Sequence, residues 1–176
     1  TTEKEFITLW NKITYECIKR LRVYAPDSIV LVGSYYNNSA IAVPDLAAPY
    51  DDKVMFNFHS YDPLKYTHQG APWLASILNV EERFAFEESG ITPAFFEETF
   101  KPAIDYAKKH KVDLYCGEYG VIDVVSPEDT LKWYKAIHEV FEEHKIPRAA
   151  WSYKEMDFGL SDSRMDGVRE ELLRYL

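Results

Sequence analysis

The sequence predicts an α/β fold of parallel β/α units, and three observations carry the prediction. Amphipathic helical patterns alternate with short strand patterns along the whole chain. The first strand pattern, SIVLVG, is short and continuously apolar, as in strands covered on both faces of a parallel sheet. No Asn-Gly signal joins any two of them, so hairpins are not expected.

Each element has its own signal. Thr2 followed by Glu5 is a capping-box pattern, and Phe6, Leu9, Trp10, Ile13, Cys17, Ile18 and Leu21 recur at helical spacing, so the chain opens on a helix. Pro26 and Asp27 punctuate it, and SIVLVG at Ser28 to Gly33 is the first strand. The link from Ser34 to Asp52 has two prolines and a weak helical pattern around Leu46. KVMFNFHSY is the second strand and ends in polar groups at Asn57, His59 and Tyr61. From Asp62 to Gly90 the chain is long, aromatic and loop-like around PLKYTHQGAPW, with a helix expected near Ala75 to Glu88; loops of this length in compact domains are usually functional.

Thr92 and Pro93 start the next helix, which Pro102 is expected to break into two short pieces before Lys111. VDLYCGEYG is the third strand. Ser126, Pro127 and Asp129 start a helix with Leu131, Tyr134, Ile137, His138 and Phe141 on one face, and Pro147 ends the turn after it. RAAWSY is the fourth strand, and Val168 to Leu176 is expected to close the chain as a helix. The 176 residues fit one domain, 1–176, without internal repeats or low-complexity segments.

Composition excludes several function classes. A formal charge of -9 repels phosphate backbones and anionic lipid surfaces, so neither nucleic acid nor membrane is an expected partner. No apolar stretch approaches the roughly 20 residues that cross a bilayer. Cys17 and Cys116, one in a helical and one in a strand pattern, build neither a disulfide framework nor a cysteine metal site, and no cofactor or metal is expected. Thirteen Tyr, ten Phe and four Trp exceed what a small core requires and suit the flat faces of sugars. The first residue is Thr, which predicts a processed or excised piece.

Parallel α/β folds place their sites at the carboxyl ends of the strands. Those ends offer Gly33, Ser34, Tyr35 and Tyr36, then His59 and Tyr61, then Glu118 and Tyr119, then Trp151, Ser152 and Tyr153, with Lys154 just beyond. Glu118 stands out, because an ionised carboxylate between glycines at the end of an apolar run is expensive without a use. A carboxylate, an imidazole, a phenol and an indole together make a carbohydrate-processing pocket: Glu118, His59 and Tyr61 as catalytic candidates, and Trp151, Tyr35, Tyr119 and Lys154 as substrate contacts.

FNFHSY at Phe56 to Tyr61, YCGEYG at Tyr115 to Gly120 and AAWSYKEMDFG at Ala149 to Gly159 resemble, in order and spacing, glycoside hydrolase family 5, the cellulase family of (β/α)8 barrels. The resemblance implies that Glu118 is the nucleophile, that His59 and Tyr61 flank the reaction centre with the Tyr steadying the nucleophile, and that Trp151 is the platform under the sugar at the cleaved bond. It implies a β-glucan or related polysaccharide as substrate, and extracellular secretion. Family members carry their acid/base in an Asn-Glu pair on the fourth barrel strand, with an Arg and a His on earlier strands, and no Asn-Glu pair occurs in this sequence. The chain therefore looks like the C-terminal half of the barrel, strands five to eight. Such a half leaves two strand edges open and the inward side chains of VMFNF and VDLYC, read as large and apolar, uncovered. A homodimer or a complementary N-terminal half-barrel is the expected partner. Asp62, Glu155 and Asp157 are the in-chain carboxylates near strand ends available to replace the acid, and a catalytically inactive scaffold or carbohydrate-binding module is the alternative function.

Overall fold

The computed structural model describes residues 2–176. Its strands are β1 (Val30–Gly33), β2 (Val54–Ser60), β3 (Asp113–Tyr119) and β4 (Arg148–Ala150), in one sheet of order β1-β2-β3-β4. The sheet is parallel, with β1 and β2 in register from Val30 opposite Val54 to Gly33 opposite Asn57. Helices α1 (Glu3–Tyr24), α2 (Leu64–Thr67), α3 (Pro93–His110), α4 (Pro127–His144) and α5 (Arg169–Leu172) alternate with the strands. The fold is thus the expected succession of parallel βα units, half the number in a (β/α)8 barrel.

The chain divides into two compact units, Thr1–His59 with Thr99–Cys116, and Ser60–Glu98 with Gly117–Leu176. In the first, Thr2 and Glu5 cap α1 reciprocally as the sequence predicts. At the other end of α1, Arg22 clamps Asp51 through two bonds, Nε to Oδ2 at 2.5 Å and Nη2 to Oδ1 at 3.0 Å, and gives Nη1 to the Ser28 carbonyl at 2.8 Å. That fork fixes both the exit from α1 and the entry to β2. Along β2 burial alternates strictly: Val54, Phe56, Phe58 and Ser60 are buried, while Met55, Asn57 and His59 are half-buried. Phe58 packs on Phe100 and Phe56 on Tyr106, so the buried face is the one covered by α3. Leu114 and Cys116 of β3 are buried too. Most of the apolar residues of VMFNF and VDLYC are therefore covered; the less covered positions, Leu31, Met55, Asn57, His59 and Tyr115, mix apolar and polar side chains.

The second unit is built on aromatic rings. Tyr119 is fully buried among Trp133, Tyr134 and Phe141, with ring centroids 6.2, 5.3 and 5.2 Å away, and Phe96 meets Trp133 edge-on at 5.6 Å. Trp133 gives its indole N–H to the Asp62 carbonyl at 3.0 Å, which satisfies the one polar group this cluster buries on that ring.

Four expectations are corrected. Pro102 does not break α3, which runs unbroken from Pro93 to His110. Phe96 and Phe100 before it and Ala103, Ile104 and Ala107 after it are all buried, and burial of this one stripe outweighs the roughly 3 kcal/mol an interior proline costs. Ala75 to Glu88 is not a helix, and short 3-10 turns at Pro72–Leu74 and Phe86–Glu88 replace it. Within this stretch Phe84 is held by the buried Gln69 amide, which accepts from the Phe84 N–H at 2.8 Å and donates to the Phe84 carbonyl at 3.2 Å, occupying two groups that a helix there would use. Strand four covers only Arg148–Ala150 and the last helix only Arg169–Leu172, each shorter than predicted.

Replacing Gln69 with Leu strands both Phe84 backbone groups at about 1–3 kcal/mol each, so Gln69→Leu should lower unfolding free energy by about 2–6 kcal/mol in a urea titration. A loss under about 0.5 kcal/mol would show that water serves Phe84 instead.

Candidate functional site

The site is assembled where β2 and β3 end. Tyr61 follows the last residue of β2, and Glu118 is the next-to-last residue of β3. Tyr61 donates its phenol proton to Glu118 Oε2 at 2.9 Å, and the carboxylate is half-buried. Since successive strand residues point to opposite faces, burial of Tyr119 in the aromatic core turns Glu118 the other way. Tyr119 is consequently a core residue, and its expected role as a substrate contact is corrected: none of its surface is exposed.

The Tyr61 ring is held on two sides, edge-on to His68 at 5.1 Å and to Phe158 at 5.7 Å, and those two rings meet each other at 5.1 Å. Its backbone is held as well, because the fully buried Thr67 donates its hydroxyl to the Tyr61 carbonyl at 2.5 Å. The same Thr67 oxygen lies 3.1 Å from His68 Nδ1. A hydroxyl has one proton and here it goes to the carbonyl, so His68 Nδ1–H is the donor to Thr67 and Nε2 carries the lone pair. Burial pushes the His68 pKa down to about 4, in keeping with a neutral ring. Thr67 also accepts, through its own carbonyl, the Ile122 N–H at 2.9 Å, which ties the segment after Glu118 to the segment after Tyr61. Trp73, half exposed, stands edge-on to His68 at 6.4 Å.

Trp151 follows β4 with 37% of its surface exposed. Its backbone N–H donates to the Tyr119 carbonyl at 2.9 Å, and its own carbonyl lies so close to Gly120 that a Cβ there would collide with it. This accounts for the second glycine of YCGEYG. The loop beyond closes on itself: Ser152 gives its hydroxyl to the Glu155 carbonyl at 2.8 Å and its N–H to the Phe158 carbonyl at 3.3 Å, and Leu160 donates back to Ser152 at 3.0 Å. Between these anchors Glu155, Met156 and Asp157 take left-handed backbone angles in succession, and the Asp157 carbonyl accepts from Asp123 N–H at 2.7 Å. The peptide bonds Asp62–Pro63 and Trp151–Ser152 are cis.

The remaining candidates are placed differently. His59 and Tyr35 belong to the first unit. His59 is half-buried near the end of β2 and donates its backbone N–H to the Asn38 carbonyl at 2.7 Å. Tyr35 is tied down, its hydroxyl 2.8 Å from Glu3 Oε1 and 3.3 Å from Asp45 Oδ2, and the Glu3 contact leads in pushing its pKa up to about 12. Lys154 is exposed and pairs loosely with exposed Glu155 at 3.9 Å. Glu155 and Asp157 are exposed, whereas Asp62 is half-buried, and desolvation raises its pKa against the opposing Ser60 hydroxyl at 3.4 Å. Residue-by-residue reading missed Thr67, His68, Trp73 and Phe158; the first three lie in PLKYTHQGAPW, the stretch its length had marked as functional.

A carboxylate and a phenol are thus paired at the carboxyl end of parallel strands, with the exposed indoles of Trp73 and Trp151 in the same unit. The profile of the cellulase family, glycosyl hydrolase family 5, matches residues 2–157, and the chain belongs to that family. Cellodextrinase A of Ruminococcus flavefaciens is 54% identical over 147 residues, covering 84% of this chain and 44% of that protein. Endoglucanase C of Acetivibrio thermocellus is 31% identical, covering 96% of this chain and 56% of its own length. A solved endoglucanase superposes with a TM-score of 0.82 at 26% identity over 95% of this chain and 54% of its own. The chain spans about half the length of the curated relatives it matches.

The His68 pKa has a consequence for stability. Between the unfolded value near 6.5 and the folded value near 4 the unfolded chain binds the extra proton, so His68 contributes a stability that rises with pH across that window and is lost as pH falls through it. His68→Phe, assayed by urea unfolding from pH 4 to 7, should flatten the profile relative to the parent; parallel profiles would mean that His68 titrates normally.

Proposed function

We propose that this chain is the nucleophile-bearing half of a retaining endo-β-1,4-glucanase-type hydrolase, and that the Tyr61–Glu118 hydrogen bond is the observation that carries the reading. In retaining hydrolysis one carboxylate attacks the anomeric carbon while a second carboxyl group, about 5–5.5 Å away, protonates the departing oxygen. Glu118 takes the first role. The bond from Tyr61 fixes the rotation of its carboxylate, and Thr67, His68 and Phe158 fix Tyr61 in turn. Trp151 takes the role of the sugar platform, its exposed indole offering a flat apolar face to a pyranose ring. His59 is assigned to the reaction centre by family resemblance alone.

The 176 residues contain no Asn-Glu pair. The acid/base therefore comes from a complementary N-terminal half-barrel; a second copy of this chain would cover the open edges without supplying that group. Support comes from the order of the sheet, in which β1 and β4 are outermost, and from exposed apolar residues such as Leu9, Ile13, Ile29 and Leu31 on α1 and around β1. The substrate is a β-1,4-glucan or a related polysaccharide, a choice the relatives' names support: cellodextrinase and endoglucanase. The alternative, an inactive sugar-binding scaffold, would keep Trp151 and need no acid.

Mixed with a matching N-terminal half, the chain should hydrolyse a soluble β-glucan. Glu118→Ala should abolish this, and Tyr61→Phe should lower kcat by roughly 10- to 150-fold, the worth of one hydrogen bond to a charged group. Alone, the chain should lose the roughly 100- to 10,000-fold contribution of an acid on unactivated glucan but much less on a 2,4-dinitrophenyl glycoside. Unimpaired hydrolysis by Glu118→Ala would overturn the nucleophile assignment, and efficient cellulose cleavage by the isolated chain would transfer the acid's role to an in-chain carboxyl such as Asp62. Light scattering of the isolated chain at micromolar concentration should give a mass well above 20.5 kDa; a stable folded monomer of that mass would refute self-association.

A further inference from the structure

One side-chain cluster in the second unit has no part in the Tyr61–Glu118 arrangement. Glu97, early in α3, faces the last turn of α4, where Glu143 and His144 are neighbours. His144 is largely buried, with 13% of its side chain exposed, and its Nε2 lies 2.7 Å from Glu97 Oε2. One ligand-capable atom from each of the three residues lies within 4.8 Å of the other two. A simple hydrogen bond explains His144 and Glu97. It gives Glu143 no role, and bringing a second carboxylate beside the first costs repulsion unless a cation shares them. The position adds a further attraction for a cation, since the carbonyl end of an 18-residue helix carries partial negative charge.

We propose that Glu97, Glu143 and His144 form a site for a divalent transition cation, Zn2+ in the first instance, which staples the start of α3 to the end of α4. The donor set selects the metal. One imidazole nitrogen with two carboxylate oxygens suits Zn2+, Co2+ or Ni2+, whereas Ca2+ takes six to eight oxygens and has no use for the imidazole. Ligand distances of about 2.0–2.2 Å place donor atoms about 3–3.5 Å apart around a tetrahedral ion. The His144–Glu97 contact must open by a few tenths of an ångström, and the exposed Glu143 side chain swings in. Binding exchanges any proton shared between His144 and Glu97 for the ion and leaves the remaining coordination positions to water.

The test uses the intact chain, stripped of metal by chelator and titrated calorimetrically with ZnCl2 and, in parallel, CaCl2, with thermal unfolding followed alongside. One Zn2+ should bind per chain, raising Tm by about 5–10 °C at a hundredfold excess over Kd, while Ca2+ should do neither. His144→Ala should abolish the Zn2+ response. Because His144 also holds Glu97 in the metal-free chain, Glu143→Gln supplies an independent arm: its metal-free Tm should equal or exceed the parent's, since one carboxylate of the repelling pair is gone, while Zn2+ affinity falls by no less than the roughly 10- to 100-fold that groups merely supporting a ligand contribute. Absence of Zn2+ binding by the parent, undiminished binding by either variant, or an equal response to Ca2+ would each overturn the proposal. None of these readouts depends on hydrolysis, so they stand apart from the assignment of Glu118.

Discussion

The pleat of β3 is the constraint on which the site depends. Residues on a strand alternate sides, so one bulky ring locked into the core decides where its neighbour points. Tyr119 is that ring, fully buried against Trp133, Tyr134 and Phe141. A slip of one residue would bury Glu118 in an aromatic cluster without a counter-charge, an arrangement too costly to populate. The charged group is thereby oriented by the burial of an uncharged one beside it.

Around that carboxylate the supports are mostly backbone groups used as fixed points. Thr67 reaches the Tyr61 carbonyl through its hydroxyl and the Ile122 N–H through its carbonyl, and so joins the segments that follow β2 and β3. Trp151 is joined to the Tyr119 carbonyl, one residue from Glu118, and Gly120 gives its carbonyl room. Side chains that touch a substrate can vary in rotamer, but these ties set where their Cα atoms lie. The helix connecting β3 to β4 contributes through Trp133, whose indole N–H holds the Asp62 carbonyl.

The parts of the fold legible in the sequence are those governed by local rules. The Thr2–Glu5 cap, the Ser126–Pro127 start of α4 and the four apolar strand cores all follow from periodicity and capping chemistry. Local rules fail where a distant group intervenes. Gln69 captures the backbone of Phe84 from fifteen positions away, and no propensity reports that. The stripe of Phe96, Phe100, Ala103 and Ala107 outweighs Pro102, a comparison of packing with local cost that periodicity alone does not make. Glu118 and Tyr61 were legible because their motifs place them at strand ends. The burial of Tyr119 is legible in principle from strict alternation with Glu118, but strand-end position alone does not separate the two. Thr67, His68 and Phe158 carry no motif, since their contribution is contact with Tyr61 and exists only after folding.

The left-handed run at Glu155, Met156 and Asp157 has an implication for how this protein can change. Residues with a Cβ resist that region by roughly 1–2 kcal/mol each, so the turn is imposed by its anchors, the Ser152 hydroxyl and the Phe158 and Leu160 amides, and not by its own sequence. Its three side chains are exposed and carry no packing duty. Positions that strain the backbone while contributing little to the core are open to drift: glycine or asparagine there relaxes the turn, and insertions lengthen it, while Trp151 stays fixed from behind by Tyr119. The loop thus offers evolution a place to alter the surroundings of the indole without loosening the indole itself.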